Sequence, residues 1–193
     1  MSENIDKIYN NVLITIPYTI YISSILASIS TNNYDYMYFL LCVIMFGDGL
    51  NSIIKKLIKN SNILPKKVGL RPSGCGGITV KGLCRGCGIY DDYKDKIGSK
   101  TYGFPSGHAH ILSLTMTFWT IYINNKIEHL EFKHYLSIFF MWCIFLLVCI
   151  QRLKSRCHNI YQIIGGGILG CIIGIFSYYL CNKFAPKTFK YKK

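Results

Sequence analysis

An all-α bundle that crosses a membrane about five times is the fold this sequence predicts, on three observations. Hydrophobic residues fill 51% of the 193 positions and charged residues only 16%, with a mean hydropathy of +0.28; membrane proteins have this balance. Five stretches approach the roughly 20 mostly apolar residues that a spanning helix needs, over approximately 12–30, 36–58, 105–123, 135–150 and 160–181. As core helices of a soluble protein, five such segments would leave too little polar chain to cover them. Neither a repeat nor a low-complexity tract divides the chain, so a single domain over 1–193 is expected.

The first ten residues are polar, with Glu3, Asp6 and Lys7, and lack the basic start of a cleaved signal peptide. The first apolar segment is therefore expected to remain as an anchor. The second segment carries Asp48 and Lys55 near its end and leads into a long loop over 59–104. Pro105 stands where the third segment opens, and proline suits the first turn of a helix because its missing N–H costs nothing there. The fourth segment is the shortest. The fifth places Gly166, Gly170 and Gly174 at a spacing of four, which lines one helix face and lets a second backbone approach closely. A basic tail follows over 182–193.

Alternating these spans puts the N-terminus, the 59–104 loop and the 151–158 link on one face. The 124–134 loop and the tail fall on the other. The net charge of +13 raises the possibility of a polyanion partner. Its basic residues avoid the apolar segments and collect between them, which fits phosphate headgroups better than a nucleic-acid groove. By density of Lys and Arg the first face would be cytoplasmic, whereas Lys187, Lys190, Lys192 and Lys193 in the tail argue for the opposite orientation.

Three short patterns stand at membrane boundaries on the first face. One is Arg71-Pro72, preceded by Asp48-Gly-Leu-Asn51-Ser-Ile-Ile-Lys55. The second is Tyr102-Gly-Phe-Pro105-Ser106-Gly107-His108. In the third, Arg152 is followed after five residues by His158 and then by Gln162. A helix opening at Ser106-Gly107-His108 would present free N–H groups at the positive end of its dipole, an anion site. Gln162 lies one turn beyond His158, so its amide oxygen can hold one imidazole nitrogen and leave the other to attack. Taken singly these are an ordinary helix start and interfacial side chains reaching for headgroups. Together, Lys55, Arg71, Arg152, two histidines and a helix N-terminus supply what phosphoryl transfer needs: cations for the equatorial oxygens, a nucleophile and an acid.

On these residues the sequence resembles the type 2 phosphatidate phosphatase superfamily, which also includes haloperoxidase-like members. Arg71-Pro72, Pro105-Ser106-Gly107-His108 and Arg152-x5-His158 are similar to its three ordered motifs. Within it, the dolichyl diphosphatase branch is the nearest likeness. Lys100-Thr-Tyr-Gly-Phe-Pro-Ser-Gly-His resembles that branch's central motif, and His158-Asn-Ile-Tyr-Gln162 its His-x3-Gln, where other branches carry Asp. Two departures stand out. The family's lysine position, seven before the arginine, is Leu64 here, so Lys55 aligns only across an insertion of about nine residues, with Lys59, Lys66 and Lys67 as substitutes. The usual serine before the third-motif arginine is Gln151.

The resemblance implies a family-like membrane helical core and a lipid phosphatase acting without metal or other cofactor. His158 would be the nucleophile, oriented by Gln162, and His108 the acid and then the base. Lys55, Arg71, Arg152 and the Ser106 and Gly107 amides would hold the phosphate oxygens. The expected substrate is a polyprenyl or dolichyl diphosphate in the bilayer, with phosphatidate or another glycerolipid phosphate as the alternative. A catalytically silent scaffold is discouraged by the presence of both histidines and both motif arginines. An endoplasmic-reticulum-type membrane with a lumenal catalytic face is the corresponding localisation. Nine cysteines are present; those inside spans act as small apolar residues. Cys75, Cys84 and Cys87 in the long loop, with Cys157 beside the nucleophile, suit disulfides on a lumenal face, free thiols, or part of a zinc site. The loop itself is expected to gate or select substrate.

Overall fold

A computed structural model describes residues 2–72 and 102–185; the side chains of residues 2–7, 9 and 10 are outside that description. Most of the long loop, with Cys75, Cys84 and Cys87, and the lysines of the tail therefore lie outside the described residues, as do the gating and zinc expectations placed on them. Among the described residues, seven α-helices run in the order α1 (Ser2–Thr31), α2 (Asp35–Cys42), α3 (Leu50–Ser61), α4 (Lys66–Gly69), α5 (Gly107–Lys126), α6 (Phe132–Lys154) and α7 (Ile160–Phe184). A π-helical stretch over Val43–Gly49 joins α2 to α3 with helical dihedrals at both junctions, so the three pieces form one rod. No strand occurs among the described residues.

Four of these units are long and apolar enough to cross a membrane: Asn11–Thr31, Asp35–Ser61, Phe132–Lys154 and Ile160–Phe184. Their outward faces carry exposed Ile22, Leu26, Leu41, Phe139, Leu146, Ile168 and Ile172, side chains that water would not tolerate in such number. The chain is a multi-pass membrane protein. The remaining expected span, α5, has 20 residues and thus about 30 Å of length, but it is less apolar. It is the central helix, with every residue from Ala109 to Met116 buried. Surrounded by protein instead of lipid, it can carry His108, His110, Ser113 and Thr115. The fourth span is longer than the sequence indicated because a capping box formed by Glu131 and His134 starts α6 at Phe132.

The glycine stripe of α7 packs against α5. A Cβ on Gly166 would stand 2.5 Å from Ser106 O, one on Gly170 2.2 Å from His110 O, and one on Gly174 2.7 Å from Leu114 O. Backbone thus meets backbone along three successive turns, as the spacing predicted. At the end remote from the motifs, Phe39, Phe118, Trp119 and Tyr178 interlock. There the buried Asp35 accepts a 2.6 Å hydrogen bond from Tyr122 and lies 3.8 Å from Lys126.

Candidate active site

At the opposite end of the bundle, four chain segments meet around His158. The α6–α7 turn is closed by Cys157 N and His158 N, which donate to Arg152 O at 3.1 and 3.3 Å, with Arg156 in the left-handed region at φ 52°. Gln151 donates across the same turn to Ser155 Oγ at 2.8 Å. This gives the residue at the family's serine position a place inside the turn. Cys157 is fully buried and disulfide-bonded, its partner lying outside the described residues. Cys42, Cys143, Cys149, Cys171 and Cys181 are free.

His158 Nδ1 lies 3.0 Å from Gln162 Oε1. The other end of that amide, Nε2, donates to Val68 O at 2.9 Å and Leu70 O at 2.8 Å, so the oxygen must be the end facing the ring. An amide oxygen only accepts. Nδ1 therefore carries the proton and Nε2 holds the lone pair. Burial, reinforced by the Arg71 guanidinium and then by Lys55 and His108, pushes the His158 pKa well below its usual range, against the opposing pull of the Gln162 bond. The imidazole is thus neutral, with its lone pair on Nε2. The same interactions place Arg71, Lys55 and His108 within electrostatic reach of His158. Arg152, only 1% exposed, is within reach of His108.

His108 Nε2 is 3.3 Å from Ile14 O. A carbonyl also only accepts, so the proton sits on Nε2 and His108 Nδ1 is the available acceptor. Arg71 keeps its buried Nε without a hydrogen-bond partner among the described residues. A Cβ on Gly107 would stand 3.8 Å from Lys55 Nζ. Lys55 therefore reaches the N-terminus of α5 despite the insertion, while Lys59, Lys66 and Lys67 are exposed.

Two expectations about this terminus need correction. The Ser106 amide is not free: it donates to Gln162 O at 3.0 Å. Its hydroxyl caps the helix by accepting from Ala109 N at 3.5 Å, and the residue is wholly buried. Helix packing has claimed it, which leaves the N–H groups of Gly107 and His108 as the donors without a partner among the described residues. Pro105 precedes the N-cap instead of opening the first turn, because the Ser106 cap sets the start of α5 at Gly107.

Three residues were missed in the sequence. Asn51 is 5% exposed, and its Nδ2 would be 3.0 Å from a Cβ on Gly107; its position one turn before Lys55 was the available signal. Asn159 caps α7 and reaches the segment before Arg71. Gly103 lies under the site, where a Cβ would stand 2.5 Å from Gln162 Oε1 and 2.8 Å from Arg71 Cγ. Gly103→Ala must displace the histidine's orienting amide or the arginine stem. It is expected to lower kcat/KM about a hundredfold, the usual cost of misplacing a reacting group by an ångström, as steady-state phosphate release would show.

A family model described as the PAP2 superfamily matches residues 35–186. Among curated proteins, a dolichyldiphosphatase of Saccharomyces cerevisiae is 23% identical over 142 residues, covering 72% of this chain and 51% of the relative. The chain thus spans about half the length of the relative it matches. No solved structure matches it.

Proposed function

The chain belongs to the PAP2 superfamily, and from that membership we propose that it is a membrane lipid phosphatase converting a polyprenyl or dolichyl diphosphate to the monophosphate. The observation that carries this reading is the bond from His158 Nδ1 to Gln162 Oε1 inside a ring of cations. It leaves a neutral imidazole nitrogen on a ring within electrostatic reach of Arg71 and Lys55, which would hold a phosphate. The likeness to the yeast dolichyldiphosphatase and the His-x3-Gln pattern favour the diphosphate.

In the first step His158 Nε2 bonds to the terminal phosphorus, and the bond from that phosphorus to the bridging oxygen breaks. On binding of the anionic diphosphate, His108 takes up a second proton on Nδ1 while Nε2 stays committed to Ile14 O; the lipid monophosphate leaves with that Nδ1 proton. In the second step His108 takes a proton from water. The hydroxide so formed displaces the imidazole, releasing inorganic phosphate and restoring both histidines. Lys55, Arg71, Arg152 and the Gly107 and His108 amides would stabilise the oxygens that gain charge, each donor being worth on the order of a hundredfold in rate. Cations fill the role that a divalent metal plays elsewhere, and their charge would repel one; the reaction is therefore metal-independent. A lumenal face of an endoplasmic-reticulum-type membrane suits the disulfide at Cys157.

Full-length protein purified in detergent is offered dolichyl diphosphate and phosphatidate in parallel, with EDTA. At least tenfold faster phosphate release from the diphosphate, unaffected by EDTA, is expected. Equal turnover would remove the case for a prenyl substrate, and loss of activity on chelation would overturn the metal-free mechanism.

A further inference from the structure

The start of α7 does more than present the nucleophile. Asn159 Oδ1 accepts from Gln162 N at 3.0 Å and Gln162 Oε1 accepts from Asn159 N at 3.3 Å, a reciprocal cap. That engages the acceptor half of each amide within α7 and, for Gln162, with His158. Both donor halves turn the other way, onto one short piece of backbone. Asn159 Nδ2 donates to Lys67 O at 2.9 Å, with Val68 O at 3.3 Å and Leu70 O at 3.4 Å nearby. Gln162 Nε2 donates to Val68 O and Leu70 O at 2.9 and 2.8 Å, with Gly69 O at 3.3 Å. The next residue is Arg71.

Among the described residues, little else holds this piece of chain. α4 is a single turn, and residues 65–67 are exposed. On its far side Gly103 N donates to Gly69 O at 2.8 Å, and Leu70 pairs with Tyr102 in an isolated bridge. The α7 amides supply the only side-chain hydrogen bonds to the Lys67–Leu70 carbonyls among the described residues. They come from the same helical turn that orients His158.

We infer that Asn159 and Gln162 are positioning residues: their amide NH2 groups clasp the Lys67–Leu70 backbone and set Arg71 in register with the His158 nucleophile. This rests on the reading of Arg71 as a phosphate-binding group. It also explains why an amide stands at 162. A carboxylate there would keep the bond to His158 Nδ1 but turn bare oxygen toward two carbonyls. The clasp would open, and Arg71 would lose its register while the histidine kept its orientation.

The test uses the full-length protein in detergent with inorganic phosphate as probe, read as the concentration giving half-maximal thermal stabilisation. This readout is independent of turnover. Asn159→Ser keeps a capping oxygen for α7 and removes the longer amide donor that reaches Lys67 O; it is expected to raise that concentration about tenfold, as loss of a hydrogen bond to a positioned segment does. In an Arg71→Ala background the same substitution should add less than about twofold, since coupled residues are not additive. Gln162→Glu should share the loss. A wild-type response in Asn159→Ser beside an impaired Arg71→Ala overturns the clasp alone, as does a full tenfold effect in the Arg71→Ala background. Phosphate binding unchanged in Arg71→Ala overturns the reading of Arg71 and the clasp with it.

Discussion

His158→Ala abolishes phosphate release, with kcat falling by about four orders of magnitude or more, the usual scale when a covalent nucleophile is deleted. The expectation follows from the proton inventory of the site. Gln162 Oε1 can only accept, so the Nδ1 proton is fixed and the lone pair stays on Nε2. Burial and the neighbouring cations keep that nitrogen unprotonated. The other histidine within reach, His108, is held separately, its Nε2 proton donated to Ile14 O on a different helix. The fold should survive the change. Gln162 retains its bonds to Val68 and Leu70, so the variant's melting temperature should stay within a few degrees of the parent. Steady-state phosphate release and thermal unfolding in detergent check the two halves of this expectation.

Gly170→Ala is the substitution with the largest expected effect on the fold. Its Cβ would stand 1.9 Å from Ser113 Oγ and 2.2 Å from His110 O. The hydroxyl can rotate, but the carbonyl is helix backbone and cannot yield, so α5 and α7 must separate. Overpacking of this kind costs about 3 kcal/mol, which for a chain of this size lowers Tm by roughly 10 °C. Because α5 carries His108, and α7 carries Gln162 and follows directly on the turn that holds His158, the wider seam should reduce activity as well. Gly167 provides the control. A Cβ there meets only Phe145 Cζ at an ordinary 3.5 Å, so Gly167→Ala should leave the melting temperature unchanged or raise it, alanine being the better helix former.

The parts of this architecture that were legible from sequence are those encoded locally. Apolar length marked the spans, and the four-residue spacing of Gly166, Gly170 and Gly174 marked a close-packed helix face. The i, i+4 relation of His158 and Gln162 marked their hydrogen bond. What escaped depends on partners distant in the chain. Ser106 looks like an anion-binding residue within its motif, yet its amide is spent on Gln162 O some 56 positions away. Asn159 reads as a helix cap, and its second role emerges only once the Lys67–Leu70 segment is laid across α7. Asn51 carried a hint in its spacing to Lys55 but no sign that it would face Gly107. The central position of α5 was hidden by its length, which suits a span; its lower apolar content, with His108, His110, Ser113 and Thr115, was the signal that protein encloses it.

The site joins a cationic cradle to a neutral imidazole, and the glycine seam sets the distance between the two helices that share the chemistry. A covalent intermediate on His158 is the central claim of the proposed reaction. The most direct test is to mix the full-length protein with farnesyl diphosphate carrying ³²P in its terminal phosphate, quench in alkali within the first turnover, and map the label by peptide mass spectrometry. The account predicts an alkali-stable, acid-labile phosphoryl group on His158 that is absent from His158→Ala. Label on any other residue would contradict it, as would rapid turnover with no labelled protein at any time point.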